Sequence, residues 1–168
     1  MPGPVPGDEA VEAARFRDVL GHFCTGVTVV TGMAGAEPVG FTAQSFTSVS
    51  LHPPLVGFCP RRTSASYAAM RQAGSFCVNI LDAAQASMAR AFAEADAARF
   101  RGVGWEPSAH TGSPVLDGVL GWVDCTVAAE HEAGDHLIVL GRVIDLAVAG
   151  GGGPPLLFYR GGYRSLAP

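Results

Sequence analysis

VLGWVDCTVAAEHEAGDHLIVLGRVIDLAVA, residues 119–149, decides the fold class. β-branched and large apolar residues fill both halves, and Ala133-Gly134 interrupts them at the middle, so the stretch reads as one long antiparallel hairpin. Its strands fall near residues 119–132 and 135–149. Upstream, TGVTVVTGM from Thr25, a Gly-Ala-Glu-Pro turn and VGFTAQSFTSVSL read as a second hairpin leading into a further strand. LVGFC after Pro53-Pro54, SFCVNIL at 75–81 and LLFYRG after the Gly-rich run at 150–153 add short apolar strands. About seven strands, joined mostly by hairpins and interrupted by helices, predict a mainly β fold: a small antiparallel barrel with peripheral helices.

The helices follow from spacing and caps. Phe16, Val19, Leu20 and Phe23 share one face, so residues 9–22 read as an amphipathic helix with Asp8 as cap, expected to lie against the body of the protein. Thr63 or Ser64 caps a helix reaching about Gln72, and the Ala-rich stretch 83–101 holds one or two more. MPGPVPG at 1–7 reads as a flexible arm, and residues 8–168 as a single domain, which suits a chain of 168 residues. Gly150–Gly153 has no strand-to-helix context, so it reads as a connector rather than a phosphate loop.

Composition narrows the function classes. A formal net charge of -4 with only 15% charged residues leaves no basic footprint for nucleic acid. Every basic side chain is Arg, so a bound phosphate must be met by Arg, hydroxyls or backbone N–H groups, and a Schiff-base lysine is excluded. Cys24, Cys59, Cys77 and Cys125 form no C-x-x-C pair and read as free thiols. With no leader-like start and no apolar run of membrane length, the expected location is the cytoplasm, away from membranes. Glu130, His131, Glu132 and His136 lack metal-site spacing, so no metal is expected, and no Gly-x-Ser-x-Gly elbow supplies an acyl-transfer nucleophile.

The segment Gly40–Phe58 carries the densest chemistry. Thr42, Ser45, Thr47, Ser48 and Ser50 place hydroxyls on an otherwise apolar stretch, and Ala43 is small enough for a ligand to approach the backbone. Such a strand suits a planar polar heterocycle, and equally suits a half-exposed strand facing water. Arg61, Arg62, Ser64 and Ser66 open a helix, where unpaired N–H groups favour an anion; a solvated Arg pair with an ordinary cap is the alternative. His136, at a hairpin, would by itself be an exposed surface residue.

A resemblance changes that balance. TGVTVVT at 25–31 and GFTAQSFTSVSLHPPLV at 40–56 are similar to the signature of the flavin reductase family that serves two-component monooxygenases. SFCVNIL at 75–81, RFRGVGW at 99–105, PVLDG at 114–118, GDH at 134–136 and YRGGYR at 159–164 continue it in family order across residues 16–166. The resemblance implies a split antiparallel β-barrel of the FMN-binding type, a homodimer, and NAD(P)H-dependent reduction of FMN or FAD for a partner monooxygenase. It implies that Thr42, Ala43, Gln44, Ser45, Ser48, Val49 and Ser50 line the flavin site, with Arg62 and Ser64 on the flavin phosphate. Phe100 and Trp105 would cover the dinucleotide, with aromatic packing as the competing account. His136 would sit beside flavin and nicotinamide, orienting the nicotinamide or carrying a proton.

Two positions depart from the family pattern: Gln44 stands where a smaller or shorter polar residue is common, and Tyr159 where His is common. Hydride transfer between stacked rings about 3–3.5 Å apart needs no protein nucleophile, which fits the missing triad. The rival readings are a non-catalytic flavin carrier and an oxidase that keeps its flavin on the same barrel.

Overall fold

The computed structural model describes residues 11–94, 99–150 and 152–166; the expected arm at 1–7 and the Asp8 cap lie outside them. In chain order, α1 (Ala13–Leu20) precedes β1 (Thr25–Gly26), β2 (Thr28–Ala34), β3 (Glu37–Ala43), β4 (Thr47–Leu51) and β5 (Pro54–Phe58). Then come α2 (Ala65–Ala73), β6 (Ser75–Ile80), α3 (Ala86–Ala93), β7 (Trp105–Pro107) and β8 (Pro114–Leu116). The long hairpin is β9 (Gly121–Ala133) and β10 (His136–Val148), and β11 (Leu157–Tyr159) and β12 (Gly162–Arg164) close the chain. Its turn lies one residue later than the sequence predicts, at Gly134-Asp135. A two-residue hairpin loop needs positive φ early in the turn, and Gly134 supplies it at +64°.

Seven strands form one antiparallel sheet in the order β3-β2-β6-β9-β10-β5-β4. Its two edges, β3 and β4, are consecutive in the chain and joined only by Gln44, Ser45 and Phe46. Four Cα steps span at most about 14 Å, so the sheet must curl until its edges nearly meet. The result is a barrel with a seam, the split antiparallel barrel that the resemblance implied. Register shifts at Leu140/Gly141 and Val143/Asp145 bend the long hairpin to fit. At Gly141 a Cβ would lie 2.4 Å from Cζ of Phe76, so only glycine lets that ring pack there.

Successive residues of a strand face opposite sides of a sheet, and both faces of β2 are covered. Val30 joins Phe58, Phe76, Val78 and Val139 with Tyr67 and Met70 of α2. Its neighbour Val29 joins Val27, Leu81 and Leu116 with Ala89 and Phe92 of α3. This explains why β2 is an unbroken apolar and hydroxyl run instead of an alternating one.

One expectation is corrected. The amphipathic helix forms, but it does not pack against the body: Phe16, Val19 and Leu20 are each more than half exposed, and no residue of α1 is buried. Periodicity reports that a face is apolar, not what covers it.

Candidate functional site

A cleft of about 980 Å³ runs along the barrel seam. Phe41, Thr42, Ala43, Gln44 and Ser45 form one side as β3 leaves the sheet. Cys59, Pro60, Arg61 and the start of α2 form another; Phe92, Ala93 and Arg99 come from α3 and the segment after it; and His136 projects from β10. The volume suits a cofactor-sized ligand.

Several hydroxyls expected to face a ligand are bound within the protein. Thr42 Oγ1 donates to the Ala89 carbonyl at 2.6 Å, fastening β3 to α3. Ser45 Oγ accepts from the Cys59 N–H at 2.8 Å, tying the seam loop to the exit of β5. Ser64 Oγ accepts from the Tyr67 N–H and caps α2. These residues line the cleft while their side chains set its shape, leaving backbone groups and Gln44 for recognition.

The cleft's basic side chains are Arg61 and Arg99. Arg62, adjacent in sequence, turns outward and meets Glu132 at 3.4 Å. Arg61 makes a backbone bridge to His136, and the Arg62 N–H donates to the Asp135 carbonyl, so the segment after β5 is stitched to the tip of the long hairpin. Arg99 donates to the carbonyls of Gly40 and Glu94 and to Ser66 Oγ at 2.8 Å, bringing its guanidinium to the first turn of α2. Ser66 lines the cleft as well. Arg99 was legible only as the first residue of the RFRGVGW match, where the aromatic residues draw attention first.

Ser48, Val49 and Ser50 lie on β4 and do not line the cleft; β4 carries a register shift between Ser48 and Ser50. Phe100 also stands back from it, stacked edge-on against Phe92 at 4.9 Å, with Trp105 beyond at 6.3 Å. Its stacking partner Phe92 does line the cleft. Tyr159 pairs edge-on with His22, away from the cleft.

His136 lines the cleft, and its Nδ1 lies 2.8 Å from Oδ1 of Asp135. The hydrogen bond from the imidazole, and its charge, hold the Asp135 carboxyl below its ordinary range, with Arg61 adding to the effect. Of the neighbouring acids, Glu130 accepts from the Tyr67 hydroxyl and pairs with Arg71 at 2.8 Å, fixing α2 to β9. Burial and the bonded Glu130 push the Tyr67 phenol up.

A second cavity of about 500 Å³ shares Gln44 and Ser45 with the cleft and is lined mainly by apolar groups, among them Phe23, Phe46 and Leu156. Thr25 lines it too, and its buried Oγ1 has no hydrogen-bond partner among the described residues.

Residues 20–167 match the flavin reductase like domain, and the chain belongs to that family. The reductase subunit HsaB of a flavin-dependent monooxygenase from Rhodococcus jostii is 47% identical over 160 residues, 95% of this chain and 81% of the relative. The solved structure of a nitrilotriacetate monooxygenase component B homolog from Mycobacterium thermoresistibile superposes with a TM-score of 0.91 at 46% identity, covering 95% of this chain and 89% of that one. The NADH:FAD oxidoreductase SgcE6 of Streptomyces globisporus, solved with NAD and FAD fragments, gives a TM-score of 0.87 at 38% identity, covering 94% of each chain.

Proposed function

We infer that this chain is an NADH-dependent flavin reductase that supplies reduced flavin to a partner monooxygenase. The observation that carries the reading is the seam cleft, where Arg61, Arg99 and the start of α2 oppose an apolar side built by Phe41, Ala43 and Phe92, in a chain related to monooxygenase reductase subunits. A flavin asks for that polarity: donors and cations for its phosphate, apolar cover for its benzenoid end, and backbone groups for its pyrimidine edge. The residues present fit it.

The flavin supplies the two-electron chemistry; the protein positions it. Arg61, Arg99, Ser66 and the N–H groups that open α2 bind the phosphate. Thr42 and Ser45 hold the two sides of the cleft at fixed separation through Ala89 and Cys59. His136, which lines the cleft, is the residue assigned to the nicotinamide. Ser48, Val49, Ser50, Arg62 and Phe100 act on the site from behind, through β4, the hairpin tip and Phe92.

FMN is the flavin, bound as a substrate that leaves after reduction. Residues 8–168 act as one domain and two copies form a homodimer, a reading supported by the uncovered apolar faces of α1 and of β10, where Val148 is 89% exposed. The cytoplasm is the compartment, in keeping with four free thiols. The test is loss of nicotinamide absorbance with NADH and NADPH, each against FMN, FAD and riboflavin. Saturable turnover with NADH and added FMN is the expected result. Binding of flavin without turnover would overturn the reductase reading, and a lower KM for FAD would replace FMN as the substrate.

A further inference from the structure

His136 presents two ring nitrogens of different character, and the structure shows what distinguishes them. Nδ1 lies 2.8 Å from Oδ1 of Asp135, and among the described residues it is the ring nitrogen with a hydrogen-bond partner. Both backbones are held: the Arg62 N–H donates to the Asp135 carbonyl at 3.0 Å, the Leu137 N–H donates to the Pro60 carbonyl at 2.9 Å, and His136 pairs with Ala133 across the turn. Gly134, at φ +64°, sets the tight turn that brings the two side chains together. The exposed Asp135 does not line the cleft, whereas His136 does.

We propose that Asp135 is a positioning residue for His136: its carboxylate accepts the Nδ1–H bond, fixes that tautomer, and leaves Nε2 as a hydrogen-bond acceptor for the cleft. A neutral imidazole has one donor and one acceptor nitrogen, and the bond made by one decides the role of the other. An acceptor at Nε2 suits the carboxamide N–H of a nicotinamide, and a donor there does not. This inference rests on the reading that His136 meets the nicotinamide. The depressed carboxyl of Asp135 agrees with it, since a carboxylate that accepts a bond from the imidazole is favoured over the acid.

The experiment pairs Asp135→Ala with Asp135→Asn in the full chain. Nitrogen NMR of histidine-labelled protein above the imidazole titration, with His136 assigned by His136→Gln, reads the tautomer directly. The expected result is Nδ1–H in the parent and in Asp135→Asn, whose amide oxygen still accepts, and Nε2–H in Asp135→Ala. In steady-state assays Asp135→Ala raises the KM for NADH about tenfold with flavin KM unchanged, and Asp135→Asn restores the parent value. An unchanged tautomer in Asp135→Ala overturns the proposal, and so does an unchanged KM for NADH in that variant when His136→Gln raises it. A switched tautomer combined with unaltered NADH kinetics in His136→Gln leaves the pairing standing and removes the nicotinamide contact instead.

Discussion

Asp124 and Asp135 belong to the same hairpin and meet opposite surroundings. Asp124 is wholly buried, and its carboxylate accepts from the Thr111 hydroxyl at 2.6 Å and the Thr111 N–H at 3.2 Å, holding the loop before β8 against β9. Asn79 extends this polar band, donating to the carbonyls of Val29 and Pro114 and to Thr31 Oγ1, and accepting from the Leu116 N–H. Asp135 is an exposed turn residue whose partner, His136, faces the cleft. A polar group whose bonding capacity is used up inside the protein holds the chain in place; one left at a rim remains available to a ligand.

The largest expected effect that sharpens this contrast is at the buried end. Asp124→Ala strands the Thr111 donors and costs about 3 kcal/mol of stability, read by denaturant titration, whereas Asp135→Ala leaves the melting temperature unchanged. Equal melting losses in the two variants would break the comparison. Next, Gly141→Ala pushes a methyl against the buried Phe76 ring and costs about 2 kcal/mol by the same measurement.

At the rim the effects are on turnover and affinity. His136→Ala lowers nicotinamide-dependent flavin reduction about tenfold, while flavin affinity by fluorescence quenching stays at the parent value; equal turnover would remove His136 from the site. Arg61→Gln weakens FMN about fivefold and leaves riboflavin binding alone, since riboflavin has no phosphate to lose. The smallest effect is on thiols. Burial, reinforced by Asp124, pushes the Cys125 thiol up to about 12 and raises Cys77 as well, whereas Cys24 is exposed. A thiol reagent therefore labels Cys24 in the native protein and reaches Cys77 and Cys125 only on unfolding, which mass mapping would read.

Much of the barrel was legible because strand signals are local. The β-branched run at 25–34 and the long hairpin at 119–149 carry their own periodicity and turn residues, and the structure moves their boundaries by only a few positions. The cleft was legible in outline: the seam segment Thr42–Ser45 lines it, as do Ser64 and His136. The choice between Arg61 and Arg62 was not. Neighbours in an extended segment point to opposite sides, and which one faces the cleft depends on the bridge between Arg61 and His136, residues far apart in the chain. The hydroxyls of Thr42 and Ser45 show the same limit, because their partners Ala89 and Cys59 lie on other elements. Arg99 is held at the cleft by the Gly40 carbonyl on β3 and by Ser66 in the first turn of α2, both far from it in the chain.

The sequence by itself determined the mainly β class, the hairpins, the absence of a lysine nucleophile and, through its ordered motifs, the flavin reductase family. These are properties of residue type and near-neighbour spacing. Only the tertiary structure decided where the sheet opens, which arginines face the opening, which hydroxyls hold the cleft and which are free, and that α1 leaves its apolar face uncovered within one chain. Each of those depends on contacts between residues distant in sequence, and the pattern of a strand or helix names a face without naming what will lie against it.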